Sequence, residues 1–172
     1  MDVETGTLRL HRLSVDEAAR IVRHERRSDE HWAPGLPTFE QIDFLSAFIA
    51  DSAARRDPGA FGLFLIARVD DGLVVGGAGF FGPPDEFGAV EIVVELETSM
   101  RRLGYGSEVI GLLIGIARAN GADFVITSTS VQNVAGQHAI EHGGLAEVVR
   151  DESIVHYAID LRDEERRQLD EK

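Results

Sequence analysis

Residues Glu91 to Gly106 read Glu-Ile-Val-Val-Glu-Leu-Glu-Thr-Ser-Met-Arg-Arg-Leu-Gly-Tyr-Gly. This stretch constrains the chain more than any other. An apolar strand runs into a short polar turn, which closes with Arg101-x-x-Gly104-x-Gly106 at the mouth of a helix. Two close glycines leave backbone N–H groups free to face an anion. A helix N-terminus adds its own unpaired N–H groups and the positive end of its dipole. The stretch predicts a phosphate-binding turn fed by a strand, although a plain strand-to-helix turn uses the same glycines. The helix that follows, from about Ser107 to Asn120, carries Val109, Ile110, Leu112, Leu113, Ile116 and Ala117 on one apolar face. The P-loop pattern is absent, and position 109 is Val where a dinucleotide fingerprint has its third glycine. Neither a nucleoside triphosphate nor NAD is then the natural ligand. A different phosphate-bearing molecule is required.

Arg101-Arg102-Leu103-Gly104-Tyr105-Gly106-Ser107-Glu108 resembles the acetyl-CoA signature of the GNAT N-acetyltransferase superfamily, Arg/Gln-x-x-Gly-x-Gly/Ala. The flanking words are similar to the branch that includes the ribosomal-protein N-terminal alanine acetyltransferases (Rim type). The resemblance runs along nearly the whole chain. A second word, Asn133 to Leu145, resembles the family's second signature. Asn133 and Gly144 fall in register, Gly136 takes the small-residue place, and Leu145 replaces Phe. Ile140 stands where many members carry a general-acid Tyr, which Rim-type members commonly lack as well.

Composition sets bounds. A chain of 172 residues, 44% of them hydrophobic, can bury a core without staples. With no Cys there is no disulfide framework and no thiol nucleophile. The start has neither a basic region nor an apolar run, and no stretch approaches the ~18 apolar residues of a membrane helix. A cytoplasmic protein is the expectation, with no membrane partner. The formal net charge of −13 argues against nucleic acid and suits a cationic amine, though an acidic surface also simply keeps a protein dissolved.

Taken in order, Thr7 to Leu13 alternates as a first strand. Ser14 with Glu17 opens a helix as a capping box, through about His24. Residues Asp29 to Thr38 form a Pro/Gly loop that holds the only Trp. Thr38 caps a helix from about Phe39 to Ala54. Strands follow at Phe61–Val69, Leu73–Phe81 and Ala89–Leu96, joined by tight turns that favour antiparallel pairing. Asp123 to Ser128 is a central strand, and Leu145–Arg150 with Ile154–Asp160 is a terminal hairpin. Residues 162–172 are a charged tail. The expected fold is a single domain over 1–172 of the α/β (α+β) class. The sheet is mixed, mostly antiparallel, with about seven strands and helices on both faces. The resemblance implies a GNAT fold with a splayed central strand.

Transfer of acetyl from a thioester to an amine needs a base, a donor for the carbonyl oxygen, and a proton or dipole for the leaving thiolate. The resemblance assigns the parts. Glu91 is the expected base, with Glu95 as runner-up and water as the third option. Alternation puts Glu91, Val93 and Glu95 on one strand face; the resemblance implies a bulge in this strand, which would change that face. The oxyanion donor is a backbone N–H near Leu96. The amides of Arg101, Arg102, Leu103, Gly104, Tyr105, Gly106 and Ser107 hold the CoA pyrophosphate, with Arg101 and Arg102 near its phosphates. Asn133 is a ligand contact or a helix cap, and His138 a contact to CoA phosphate or a surface residue. No third ligand joins His138 and His142, so no metal is expected. Glu30 and His31 are candidate contacts to the acceptor, and Trp32 is a substrate platform or a core plug. The expected function is transfer from acetyl-CoA to a small amine or a protein N-terminus by direct attack. A non-catalytic acyl-CoA-binding sensor is the alternative, and a longer acyl chain is a third reading. Homodimerisation, common in the family, is left open.

Overall fold

The structure, a computed structural model, describes residues 2–54 and 58–163. Its strands are β1 (Asp2–Glu4), β2 (Leu8–Arg12), β3 (Leu63–Arg68), β4 (Val74–Phe80), β5 (Ala89–Leu96), β6 (Phe124–Ser130), β7 (Ala146–Arg150) and β8 (Ile154–Asp160). Its helices are α1 (Val15–Val22), α2 (Phe39–Ala54), α3 (Tyr105–Ala119) and α4 (Val134–Gly143). The strands form one sheet in the order β1-β2-β3-β4-β5-β6-β8-β7. Neighbours are antiparallel except β5 and β6, which run parallel.

Side-chain alternation assigns each face of the sheet its helices. In β3, Phe64 and Ile66 turn to the core that contains Val109, Ile110 and Leu113 of α3. Leu63 and Leu65 turn to the opposite side, where Ala18 and Ile21 of α1 meet Leu45 of α2. Each Leu or Ile fully buried there stabilises the fold by about 1.5–3 kcal/mol. Helix α1 begins as its sequence dictates. The Ser14 hydroxyl accepts from the Glu17 N–H at 3.2 Å, and the Glu17 carboxylate accepts from the Ser14 N–H at 2.8 Å.

The sheet has eight strands among the described residues, one more than the sequence suggests. The extra strand is β1, three residues paired with β2 through Val3 and Leu10. It is too short and too polar to carry a period. Two further expectations need correcting. Helix α3 begins at Tyr105 rather than near Ser107, because Gly104 at φ 82° is its N-cap. Gly106 therefore lies in the first helical turn. Second, the register of β5 on β4 runs unbroken from Gly76↔Leu96 to Phe80↔Ile92, with no bulge there. Beyond Asp163 the charged tail lies outside the described residues; Leu161 just before it is buried, its N–H bonded to the Asp123 carbonyl.

Candidate active site

The site grows from the two edges of β5. Its pairing with β6 covers only Ala89–Glu91, opposite Phe124–Ile126. One more link, from Thr127 Oγ1 to the Ile92 carbonyl at 2.9 Å, holds the strands together before they part. Along the other edge, the Phe81 N–H bonds the Glu91 carbonyl and the Glu97 N–H bonds the Val75 carbonyl. In an antiparallel ladder, alternate residues turn their backbone groups to opposite edges. Glu91, Val93 and Glu95 therefore spend theirs on β4. Val94 and Leu96 turn theirs into the gap left by β6. The Leu96 carbonyl accepts from Arg101 Nε at 3.2 Å.

That gap is a cleft of about 1320 Å³ that ends at the mouth of α3. Glu108 N–H reaches back to the Gly104 carbonyl at 3.2 Å, so the amides of Tyr105, Gly106 and Ser107 precede the first helical hydrogen bond and point outward. The Ser107 hydroxyl donates to the Gly104 carbonyl at 2.9 Å. Arg102, at φ 64°, and Gly104 both hold the left-handed conformation that turns these amides toward the cleft. A side-chain atom added to Gly104 would meet nothing within 4 Å, so the mouth is open to a ligand. Arg101 and Arg102 are exposed at its rim. A positive helix end, the amides of Tyr105, Gly106 and Ser107 and two guanidinium groups make chemistry suited to a diphosphate, while the Arg101 N–H, expected among the ligating amides, is instead bonded to the Thr98 carbonyl at 3.4 Å.

The opposite face of β5 closes a second, smaller space. A cavity of about 50 Å³ lies under α1 and α2, walled by Leu13, Ile21, Trp32, Phe44 and Leu45 and floored by Gly77, Val93 and Glu95. Val93 and Glu95 also line the large cleft, so they stand where the two spaces meet. The Glu95 carboxylate accepts from the Thr38 hydroxyl through Oε1 at 2.8 Å. Thr38 also accepts from the Gln41 N–H at 3.1 Å, while Gln41 Oε1 accepts from the Thr38 N–H at 3.0 Å. The start of α2 is thereby tied to the middle of the sheet. Glu91, two turns of the pleat away on the same face, is exposed and lines the cleft only.

The remaining candidates separate by environment. Trp32 is a core plug that also faces the cavity. It packs against Leu65 and Val74 in the smaller core clusters and walls the cavity. Its indole N–H donates to Glu30 at 3.3 Å, and the Arg26 guanidinium lies 5.5 Å from its ring. Glu30 does not line the cavity: Arg20 holds it at 2.7 Å. Burial pushes the Glu30 pKa up, but Arg20, the Arg27 amide and the indole outweigh it, and the net shift is downward. His31 is exposed and gives its carbonyl to the Val74 N–H. Asn133 caps α4, its side chain accepting from the Gly136 N–H at 3.0 Å and donating to Thr129 Oγ1 at 3.0 Å, on the rim of the cleft. His138 lines the cleft and is exposed; its carbonyl accepts from His142 Nδ1. Ile140 is buried on the α3 side. Among the described residues no group of three or more His, Cys, Asp or Glu is placed to hold a metal ion. No helix among them is long and apolar enough to cross a membrane.

The sequence reading missed Gln41 and the link from Thr38 to Glu95. Thr38-x-x-Gln41 is a capping-box spacing, which was the available signal. The long-range bond to Glu95 had none.

A sheet split beside a helix mouth, with a carboxylate at the fork, makes a mixed α/β fold with an open strand edge leading to unpaired amides. Residues 7–146 match the Acetyltransferase (GNAT) domain, and the chain belongs to that family. It is 28% identical over 151 residues to YjdG of Bacillus subtilis (strain 168), an uncharacterized N-acetyltransferase, covering 83% of this chain and 88% of that protein. Its fold is similar to that of a ribosomal-protein-S5-alanine acetyltransferase from Vibrio fischeri, with TM-score 0.66 at 10% identity over 95% of this chain and 98% of that one. It is equally similar to a variant of spermidine N-acetyltransferase SpeG from Vibrio cholerae, with TM-score 0.66 at 13% identity over 95% and 99%. The family uses acetyl-CoA in general, which agrees with the phosphate-ready turn.

Proposed function

We propose that the protein transfers acetyl from acetyl-CoA to a primary amine by direct attack. One observation carries the reading. The edge of β5 that β6 abandons leads straight to the open amides of α3, and Glu95 sits where that cleft meets a smaller apolar cavity. When bound, acetyl-CoA would supply a thioester whose carbonyl carbon accepts the amine as its C–S bond breaks and CoA leaves as the thiolate, which takes its proton from solvent. The amides of Tyr105, Gly106 and Ser107, with Arg101 and Arg102, would hold its diphosphate. The backbone of Val94 and the Leu96 N–H would align its linear arm, and the Leu96 N–H suits a carbonyl oxygen gaining charge. Glu95, rather than Glu91, takes the proton of the incoming amine through Oε2, since Thr38 occupies Oε1 and Glu91 is out on the rim. The acidic surface favours approach of a cationic acceptor. Similarity to proteins named for a ribosomal-protein alanine and for spermidine supports an amine acceptor, with the Rim-type branch and a small-amine enzyme equally supported.

A non-catalytic acyl-CoA sensor is the competing reading, favoured by the buried Ile140 in the place of a general acid. Calorimetry with acetyl-CoA and amine-driven release of CoA thiol decide between them. Both signals are expected. No heat of binding from folded protein overturns the whole reading, and binding without thiol release for any amine leaves the sensor.

A further inference from the structure

The cavity under α2 contains a donor with nothing to donate to. We infer that Gln41 is a specificity residue: its side-chain N–H groups bind an oxygen that the acceptor carries a few bonds from its reacting amine. The inference rests on the acetyltransferase reading only for the amine that approaches Glu95.

The orientation of the Gln41 amide is fixed by chemistry. The Thr38 backbone N–H is a donor, so the atom 3.0 Å from it must be the amide oxygen. The amide nitrogen then turns inward. Nε2 is buried and has no partner among the described residues, and Gln41 lines the cavity. Buried donors in folded proteins are nearly always paired, so an open one facing a cavity points to a ligand. Its place is informative. Nε2 lies 3.8 Å from where a Cβ on Gly77 would stand, and Gly77 is paired with Glu95 across β4 and β5. Donor and carboxylate thus flank the same bare strip of β4.

The rest of the wall sets the class of acceptor. Leu13, Ile21, Trp32, Phe44 and Leu45 offer apolar surface, and among the described residues Glu95 is the only acidic or basic side chain lining the cavity. A second ammonium would find no counter-charge there. A space of about 50 Å³ takes a few atoms, on the order of three to four waters. The acceptor that fits has one amine, a carbonyl oxygen beside it and a small apolar group. Amines with a second cationic centre close by fit poorly.

Two matched amines test this: alaninamide, which carries the oxygen, and sec-butylamine, which does not. Gln41→Met removes the donor. Gln41→Glu removes it while keeping an oxygen for the Thr38 N–H, so the start of α2 is preserved. Each variant should cut kcat/KM for alaninamide roughly tenfold or more relative to its effect on sec-butylamine. Intrinsic differences between the amines cancel in that double ratio. In 15N-labelled protein the Gln41 side-chain amide resonances should move on titration with alaninamide and stay still with sec-butylamine. Equal losses for both amines, no loss for either, or Gln41 resonances indifferent to alaninamide overturn the assignment. Absence of thiol release with every amine would defeat the acetyltransferase reading instead, and the titration would still decide the role of Gln41.

Discussion

The two sides of β5 are built on opposite principles. Toward β6, the strand offers backbone: the edges of Val94 and Leu96 and the amides at the mouth of α3 line a wide cleft. Toward α1 and α2, it offers side chains: Val93 and Glu95 floor a small cavity whose walls come from residues as far apart as Leu13 and Phe64. Backbone recognition depends on conformation, and so on glycine and little else. Side-chain recognition depends on which residues the fold brings together. One side suits a ligand common to a whole family, and the other suits a ligand particular to one protein.

The largest expected effect breaks or keeps the fork between the two sides. Glu95→Gln should lower turnover at neutral pH by about 10²–10⁴-fold, as loss of a general base does, while acetyl-CoA affinity changes by less than about twofold. Glu91→Gln, on the rim, should leave turnover within about threefold. Steady-state rates with calorimetry on the same samples check both, and the reverse ranking would return the base to Glu91. On the backbone side, Gly104→Val forces a β-branched residue into φ 82° and puts a side chain in an open mouth. Acetyl-CoA affinity should fall roughly ten- to thirtyfold by titration, with the KM for amine nearly unchanged.

Two adjacent glycines sharpen the contrast. A Cβ on Gly76 would stand 2.2 Å from the Glu95 carbonyl oxygen, an impossible contact with backbone. Gly76→Ala should cost about 1–3 kcal/mol in denaturant unfolding and displace Glu95 with its strand. A Cβ on Gly77 would meet the Phe64 carbonyl at 3.7 Å and Gln41 Nε2 at 3.8 Å, which are ordinary contacts. Gly77→Ala should leave stability within about 0.5 kcal/mol and yet reduce kcat/KM for the acceptor several-fold, because it fills the cavity. Equal behaviour of the two variants would show that the cavity is not used.

The same contrast explains what the sequence reveals. The limits of α2 and β5 are legible because turn and cap residues bound them clearly. The turn at Arg101 to Gly106 is legible because its conformation needs glycine at fixed spacing. Gly104 fulfils that need by its positive φ, whereas Gly106 does so by close packing: a Cβ there would stand 3.1 Å from Ala139 Cβ. Glu91 and Glu95 are indistinguishable in sequence, since both alternate onto one face. What separates them is Thr38, 57 positions away from Glu95, reaching across from α2. Glu30 reads as a loop carboxylate free for a ligand, and only the fold shows Arg20 already holding it. Strand β1 escapes notice because three residues cannot establish an alternation.

The smallest effect concerns the wall of the cavity. Helix α1, which contributes Ile21 to it, is anchored at its start by Glu17. His11 bridges Glu17 Oε1 at 2.9 Å and Asp2 Oδ1 at 2.8 Å. Burial lowers the His11 pKa, but the two carboxylates outweigh it and the net shift is upward from 6.5. Its stabilisation is therefore complete below 6.5 and is lost as pH rises through the higher folded-state value. Burial raises the Glu17 pKa, but the Ser14 amide and hydroxyl and His11 pull it from 4.5 down to about 2. Its stabilisation is complete above 4.5 and is lost as pH falls toward 2. Both contributions are present together between 4.5 and 6.5. The groups are partly exposed, so each is worth no more than about 1 kcal/mol. His11→Gln should flatten the fall in unfolding free energy above neutrality and leave the pH profile of acetyl-CoA affinity from pH 6 to 8 as it is in the parent protein, because His11 lies outside the cleft. A pH-dependent loss of acetyl-CoA binding that disappears in His11→Gln would join the two sides that the structure keeps apart.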